Sequence, residues 1–596
     1  MRHPSRRAHA AALLVLAALL HGCAGAPSQQ DTKAPPPVVE TQQPDPGVSL
    51  ALPPSAYRAQ FNAAEQALAG FDWMQASLAL EALPATALDA DDTAYLHYLR
   101  ARIAWVRGTR DSALDELQQA RAASANPALI YRSRTFAFYM FSLRGEHIRA
   151  AQEATQLLQL VPEAQRADWK RHAWRELNRA DTGALRAALE QDADTAWLAW
   201  LQLALDCREP DPAAAVDAWL ARHAQHPAAN PLPGGLHYLQ PAASGPRRTA
   251  LLLPLSGRLA PAGRAVLDGY LAAHYAAAGR GDATAELLVF DLGSQSADGA
   301  YQAAVSQGAS MVIGPLSKES VAQLAARERR PVPVLALNRL DGPAPPAAGS
   351  ALVQLALAPE DEAATLAQQA YGDGGRLAMI IRPQGAWGEK VERALRERWR
   401  DLGGRVVSAA TYGEREDYSR GVKGALGVSA SEQRARQVRD MLATNIEFTP
   451  RRREDPDVVF LLSADGAEAR SIKPLLAFHY AGGLPVYALS SVYSGVPDAR
   501  NRDLDGLHLV ETPWLLGASP ELRVAIAAGA TGSASYTRLN ALGVDAYLLG
   551  SQFARLRAGP DALLRGTTGL LDMDPQLRIH RELSPATFDK GEIRPL

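Results

Sequence analysis

Residues 311–320 read Met-Val-Ile-Gly-Pro-Leu-Ser-Lys-Glu-Ser. Three apolar residues end abruptly at a Gly-Pro pair, and Ser317 then stands where a helix would begin, with Glu319 in its first turn. This is a buried strand turning into a helix, because Gly and Pro stop the strand and a serine hydroxyl can accept from the helix's first free amides. Outward from this unit the pattern repeats. Short apolar runs occur at Ala250–Leu255, Leu287–Phe290, Met311–Ile313, Val334–Leu337, Leu352–Leu357, Leu377–Ile381, Val406–Ala410, Val458–Leu462 and Val486–Leu489. Most are separated by 10 to 20 helix-forming residues. That rhythm predicts βαβ units with buried parallel strands. Nine strands are too many for one compact doubly wound sheet, so two α/β lobes over residues 248–596 are expected, with a ligand cleft at the carboxyl ends of the strands.

Upstream the period changes. Residues 55–230 have helical periodicity, with Tyr95, Leu99, Ile103 and Val106 on one stripe and Trp197, Trp200 and Leu201 on another. Gly70, Gly108 and Gly145 each precede a small residue, Ala76, Ala113 and Ala150, and then a proline, Pro84, Pro127 and Pro162. This resembles the tetratricopeptide pattern, in which glycine closes one helix, alanine lets the next pack closely and proline ends the hairpin. The fold class expected is therefore α plus α/β: a tetratricopeptide-like helical array, a linker at 231–247 marked by Asn230-Pro-Leu-Pro-Gly-Gly235, and a two-lobed periplasmic-binding-protein-like domain. Ser429-x-x-Glu432 and Asp465-x-x-Glu468 are read as capping boxes, and Pro474 as restarting a helix that runs to Gly482-Gly483.

The N-terminus carries a separate signal. Arg2, Arg6 and Arg7 precede an apolar run from Ala10 to Leu20, about half of what a membrane-spanning helix requires, so residues 1–22 read as a secretory signal. Leu20 and Gly22 before Cys23 resemble the bacterial lipobox, although His21 departs from its usual small residue. That resemblance implies acylation of Cys23, and Ala24 after it implies sorting to the outer membrane. Residues 24–54 hold 8 prolines and almost no large apolar side chain. Such a segment is a tether, able to reach on the order of 90 Å when extended. Cys207, the only other cysteine, is read as a small buried hydrophobe.

Charge excludes some functions. The 596 residues carry 62 basic and 64 acidic side chains, a balance without the basic excess of a nucleic-acid binder. Ser-x-x-Lys, Gly-x-Ser-x-Gly, Gly-x4-Gly-Lys-Ser/Thr and His-Glu-x-x-His are all absent, which removes the common penicillin-binding, hydrolase, P-loop and zincin signatures. No cofactor or metal is expected, and His172 and His223 are read as surface or core residues. Glu360/Asp361 and Asp503/Asp505 are paired carboxylates, read as a solvated helix start and a turn. Candidate cleft positions are the strand-end residues Ser256, Ser317, Asn338, Trp387 and Ser490. Glu319 would partly neutralise the helix terminus at Ser317 and disfavours an anionic ligand there. The run Arg451–Arg453 is a solvated loop or a contact for an acidic partner or anionic peptidoglycan.

Val312–Ser320 is similar to the type I periplasmic solute-binding fold. Arg451–Leu462, Asp505-Gly506 leading to Pro513-Trp-Leu-Leu516, Leu542-Gly-Val-Asp-Ala-Tyr547, and Gly566-Thr-Thr-Gly569 closing on Arg578–Leu583 resemble the LppC/LpoA family. Its members are outer-membrane lipoproteins that activate a bifunctional class A penicillin-binding protein. The resemblance implies a non-enzymatic regulator of peptidoglycan synthesis that reaches from the outer membrane to its synthase. The alternative is a lipid-anchored receptor binding an amino acid or similar small molecule between the lobes.

Overall fold

The computed structural model describes residues 50–84, 87–192, 194–209, 211–239, 246–342, 348–349, 351–413, 417–442, 447–529, 537–557 and 562–596. Cys23 and nearly all of the expected signal and tether lie outside them.

Ten helices come first: Arg58–Ala69 pairs with Trp73–Glu81, Ala90–Val106 with Arg110–Ala123, and Pro127–Leu143 with His147–Leu157, after which Glu163–Arg179 packs back on His147–Leu157, Thr182–Gln191 packs on Thr195–Asp206, and Thr195–Asp206 on Pro212–Arg222. Gly108 and Gly145 turn the second and third hairpins at φ 83° and 74°, a left-handed conformation that costs glycine nothing. In the first hairpin Gly70 stays at φ −91° and the left-handed position falls on Phe71, φ 58°. Ala76, Ala113 and Ala150 are completely buried, as the close packing of each second helix requires. Beyond the third hairpin no described helix-to-helix turn carries a left-handed glycine before Gly234, which is why the repeat is silent there in the sequence. Cys207 follows Thr195–Asp206 as its cap, and burial pushes its thiol up to about 12.

All nine apolar runs contain strands, and they divide between two sheets. The first has five parallel strands in the spatial order Glu286–Asp291, Arg248–Leu253, Met311–Ile313, Val334–Ala336 and Leu352–Gln354. The second orders Arg405–Tyr412, Leu377–Pro383, Val458–Leu461, Val486–Ala488 and His508–Glu511 in parallel, then adds Ser584–Asp589 and Glu592–Pro595 antiparallel at its far edge. The chain passes between the lobes three times. It enters the second through Leu355–Ala358 and helix Pro359–Gly372. Helix Thr537–Ser551 then packs back on the first-lobe helix Ala260–Gly279, and a three-stranded antiparallel sheet, Leu564–Arg565, Leu570–Met573 and Ile579–Glu582, leads into the final strands. The crossing of the two long helices is glycine to backbone in both directions. A Cβ on Gly543 would lie 2.0 Å from the Val266 carbonyl oxygen, and one on Gly269 would lie 2.0 Å from that of Asn540.

Three local expectations are corrected. Helix Val428–Leu442 begins before Ser429, so that serine caps nothing, and Glu432 reaches Lys423 at 2.9 Å instead. Asp465 does cap its helix, accepting from Ala467 and Glu468, but Pro474 sits inside an unbroken helix that ends at Phe478. The stretch 231–247 is not an open linker over its described part. Residues Pro233–Leu239 form 3-10 turns with Pro233–Leu236 buried, and Arg555 donates to the Gly234 carbonyl at 2.9 Å.

The helical array is joined to the second lobe by a continuous apolar core that holds Trp105 together with Leu366, Tyr371, Trp399 and Phe460. Arg376 is the polar bolt of this joint. Its guanidinium donates to the carbonyls of Trp105 (2.6 Å), Tyr371 (2.9 Å) and Gly375 (2.7 Å), and lies 3.8 Å from the centre of the Tyr371 ring. Farther along, Arg179 pairs with Glu582 at 2.7 Å and Arg175 with Asp572 at 2.5 Å.

Candidate functional site

Between the lobes lies a cavity of about 790 Å3, within the size range of small-molecule sites. Its first-lobe wall is built by two strand ends. After Met311–Ile313 the chain reaches Leu316 and helix Lys318–Ala325, and after Val334–Ala336 it reaches Asn338 and Asp341. The second-lobe wall is helix Ala386–Leu402, which supplies Lys390, Arg393 and Glu397. Glu360, at the start of the connecting helix, closes the base.

Four charges span this cavity. Lys318 binds Asp341 at 2.7 Å, Lys390 binds Glu360 at 2.6 Å, and Lys390 also lies 3.6 Å from Asp341. Lys318 and Lys390 together hold the Asp341 carboxyl below the usual carboxylate range, the hydrogen bond from Lys318 contributing most. Asp341 is 72% exposed, so its pairs with Lys318 and Lys390 are worth only about 0.2–1 kcal/mol each in water. Their geometric effect is larger than their energy: Lys390 ties the second lobe to both the first lobe and the connection between them.

Only one of the five expected cleft residues, Asn338, lines the cavity. Its side-chain amide donates to the Leu316 carbonyl at 2.9 Å and its oxygen accepts from the Arg339 amide, so it shapes the wall. Ser317 is a helix cap, accepting from the Ser320 amide at 3.2 Å. Ser256 is exposed in a turn where its amide and that of Leu255 donate to Asp291 at 3.1 and 2.7 Å. Trp387 packs half-buried on the core shared with the helical array. Ser490 is buried and already engaged, its amide donating to Glu362 at 3.1 Å and its carbonyl accepting from Arg538 at 2.8 Å. The residues that reasoning missed are Lys318, Asp341 and Lys390. A usable signal existed, since the chain has 7 lysines and two of them meet here.

The pair Glu360/Asp361 is likewise not a solvated helix start. Asp361 is 7% exposed and accepts from Arg339 at 3.1 and 3.2 Å and from His580 Nδ1 at 3.0 Å, while His580 Nε2 faces Asp574 at 3.0 Å. These groups join the first lobe, the connecting helix and the three-stranded sheet. The hydrogen bond to Asp361 raises the His580 pKa above its ordinary value. A raised histidine stabilises the fold fully below its unfolded pKa near 6.5, and that contribution is lost as pH climbs through the higher folded value. The melting temperature of the wild type is therefore expected to fall more than that of His580→Gln between pH 6 and pH 9. Parallel melting curves would remove His580 from this role.

Beside it, Glu511 is fully buried and bound to Arg538, whose other contacts are the carbonyls of Ser490 and Tyr493. Asp545, also fully buried, accepts the amides of Thr567 (2.6 Å) and Thr568 (2.8 Å) and both of their hydroxyls (2.8 and 2.5 Å). Two segments quoted for the family resemblance, 542–547 and 566–569, thus meet each other, and their chemistry is architectural. Among the described residues no group of three His, Cys, Asp or Glu side chains could hold a metal ion.

The family model described as "LppC putative lipoprotein" matches residues 54–591, spanning the helical array, both lobes and the returning strands. The chain belongs to the LppC family. Its relatives include the penicillin-binding protein activator LpoA of Photobacterium profundum, 29% identical over 76% of this chain and 74% of that protein. Another is the penicillin-binding protein activator LpoA of Vibrio cholerae, 30% identical over 69% of each chain. Among solved structures, full-length LpoA from Haemophilus influenzae aligns over 91% of this chain and 95% of its own, with 23% identity and a TM-score of 0.49. Membership in the LppC family meets the expectation drawn from 451–462, 505–516, 542–547 and 566–583.

Proposed function

We propose that this LppC-family chain is a non-enzymatic regulator that binds and activates a class A penicillin-binding protein. The observation that carries the reading is the family match across both the helical and the two-lobed parts, with relatives named as penicillin-binding protein activators. The architecture supports it. Of the strand-end residues expected to present a ligand group only Asn338 lines the cavity, where its own hydrogen bonds are already made, and the cavity is spanned by ion pairs. The two-lobed domain, residues 248–596, is the docking unit; residues 55–230 extend it, and residues 24–54 tether it to an acylated Cys23 in the outer membrane. Activation is then a population shift in the synthase, in which docking favours its active conformation.

The test is turnover of a purified class A penicillin-binding protein with and without the chain lacking its lipid. Stimulated glycan polymerisation or crosslinking is the expected result. Measurable binding with unchanged turnover would sink the activator reading, and a co-purified amino acid displaced by dialysis would point to the receptor. Separately, Cys23→Ala is expected to move the protein from the outer-membrane fraction to the soluble fraction with its melting curve intact. A variant that still fractionates with the outer membrane removes Cys23 as the anchor.

A further inference from the structure

The helical array carries a second cavity, of about 540 Å3, on the face formed by the first helices of its first three hairpins. Its walls are aromatic. Phe71, Tyr98, Tyr131, Phe136 and Tyr139 line it, and Tyr371 with Leu402 from the second lobe closes one side. The rings are graded in exposure: Tyr98 is deep at 8%, Tyr131 and Phe136 are half-buried, and Tyr139 stands open at 49%. Tyr98 and Phe136 meet edge to face with centroids 6.2 Å apart, which fixes their orientation.

Two guanidinium groups enter this aromatic wall. Arg132 lies 3.3 Å and Arg102 3.9 Å from the same carboxylate oxygen of Glu65, and Arg102 also sits over the Tyr98 ring at 5.7 Å. One carboxylate against two guanidinium groups leaves a unit of positive charge at the pocket. The Thr135 hydroxyl, which also lines it, is buried with no hydrogen-bond partner among the described residues. An apolar, ring-lined cavity with a few converging polar groups is the usual composition of a small-molecule site. The surplus guanidinium selects a carboxylate, which arginine recognises through paired N–H donors. The stepped ring faces suit a flat, C–H-rich body that stacks, as a pyranose does. Tyr371 and Leu402 bound the space on one side.

We propose that this pocket binds a carboxylate-bearing N-acetylated amino sugar, the chemistry of a muramyl glycopeptide. The sugar ring and acetyl methyl lie against Tyr131, Phe136 and Tyr139, and a carboxylate meets Arg102 and Arg132. Because the pocket spans the array and the second lobe, occupancy braces the joint that Arg376 forms. The site is independent of synthase activation, so a chain that fails to stimulate a synthase can still pass this test.

The experiment is isothermal titration of the full-length protein in detergent with three probes: N-acetylmuramyl-L-alanyl-D-isoglutamine, neutral triacetylchitotriose, and L-alanyl-D-isoglutamine. The muramyl dipeptide is expected to bind at least about tenfold more tightly than either of the others, a difference of about 1.4 kcal/mol. Arg102→Gln with Arg132→Gln is expected to weaken it by about tenfold or more, while Lys390→Gln in the interlobe cavity leaves it unchanged. Tyr139→Ala supplies the same test at a ring that is 49% exposed. Absence of heat with the muramyl dipeptide overturns the proposal. So does equal binding of the neutral trisaccharide or of the bare dipeptide, or binding indifferent to both the arginine and the Tyr139 changes.

Discussion

Asp545→Ala is expected to destabilise the protein by about 3–5 kcal/mol, seen as a fall in the denaturant midpoint. The reason is the accounting of donors. Asp545 is fully buried and accepts four hydrogen bonds from two consecutive threonines. Alanine leaves those two amides and two hydroxyls inside the protein without an acceptor, and each such group costs on the order of 1–3 kcal/mol before the hydroxyls re-aim. Thr567 already has the Ala541 carbonyl at 2.9 Å from its hydroxyl, so part of the loss is recoverable. Asp545→Asn keeps the shape and one acceptor oxygen, and is expected to cost less than half as much. Equal effects for the two variants would mean that packing, and not donor satisfaction, sets the penalty.

Arg376→Ala is expected to loosen the joint between the helical array and the second lobe, at a cost of about 2–4 kcal/mol. Arg376 is 8% exposed, and its donors serve three carbonyls, one of them on Trp105 across the joint. Its removal also leaves Tyr371 and Trp105 without the cation that lies over both rings, at 3.8 and 5.1 Å. Helix content should be unchanged, because the hairpins are closed by their own contacts. The readout is a larger radius of gyration by small-angle scattering. An unaltered scattering curve would show that the shared apolar core holds the joint without Arg376.

What could be read from the residues follows the range of the interaction. The central parallel strands were legible because a strand buried on both faces must be a short apolar run, and the edge strands Glu286–Asp291 and Arg405–Tyr412 keep such a run although they are only partly buried. His508–Glu511 and the closing strands were not, since His508 and Glu511 flank only two apolar residues and Ser584–Asp589 begins with Ser-Pro. Helix caps that lie within three residues were readable at Ser317 and Asp465. The charged networks were not. Asp361 reads as an ordinary first-turn acid until His580, 219 residues later, is brought to it. Ser490 reads as an open strand end until Glu362 arrives from 128 residues upstream. Ser490 stands off the cavity for this reason: a polar side chain at a strand end was recognisable, but its engagement depended on distant partners.

The crossing of Gly269 against Gly543 sets an order of assembly. Helix Ala260–Gly279 has its packing partner more than 250 residues farther along the chain, and the first lobe's core is completed by Leu542, Leu549, Leu564 and Ile579. The helical hairpins, by contrast, close within neighbouring segments. Local contacts form early and distant ones late, and a secreted chain emerges N-terminus first. The array therefore matures first, and the lobe nearest to it in sequence must wait until almost the last residues have been delivered. A chain interrupted between residues 279 and 537 lacks the helix that covers the glycine face of Ala260–Gly279, and its first lobe stays open.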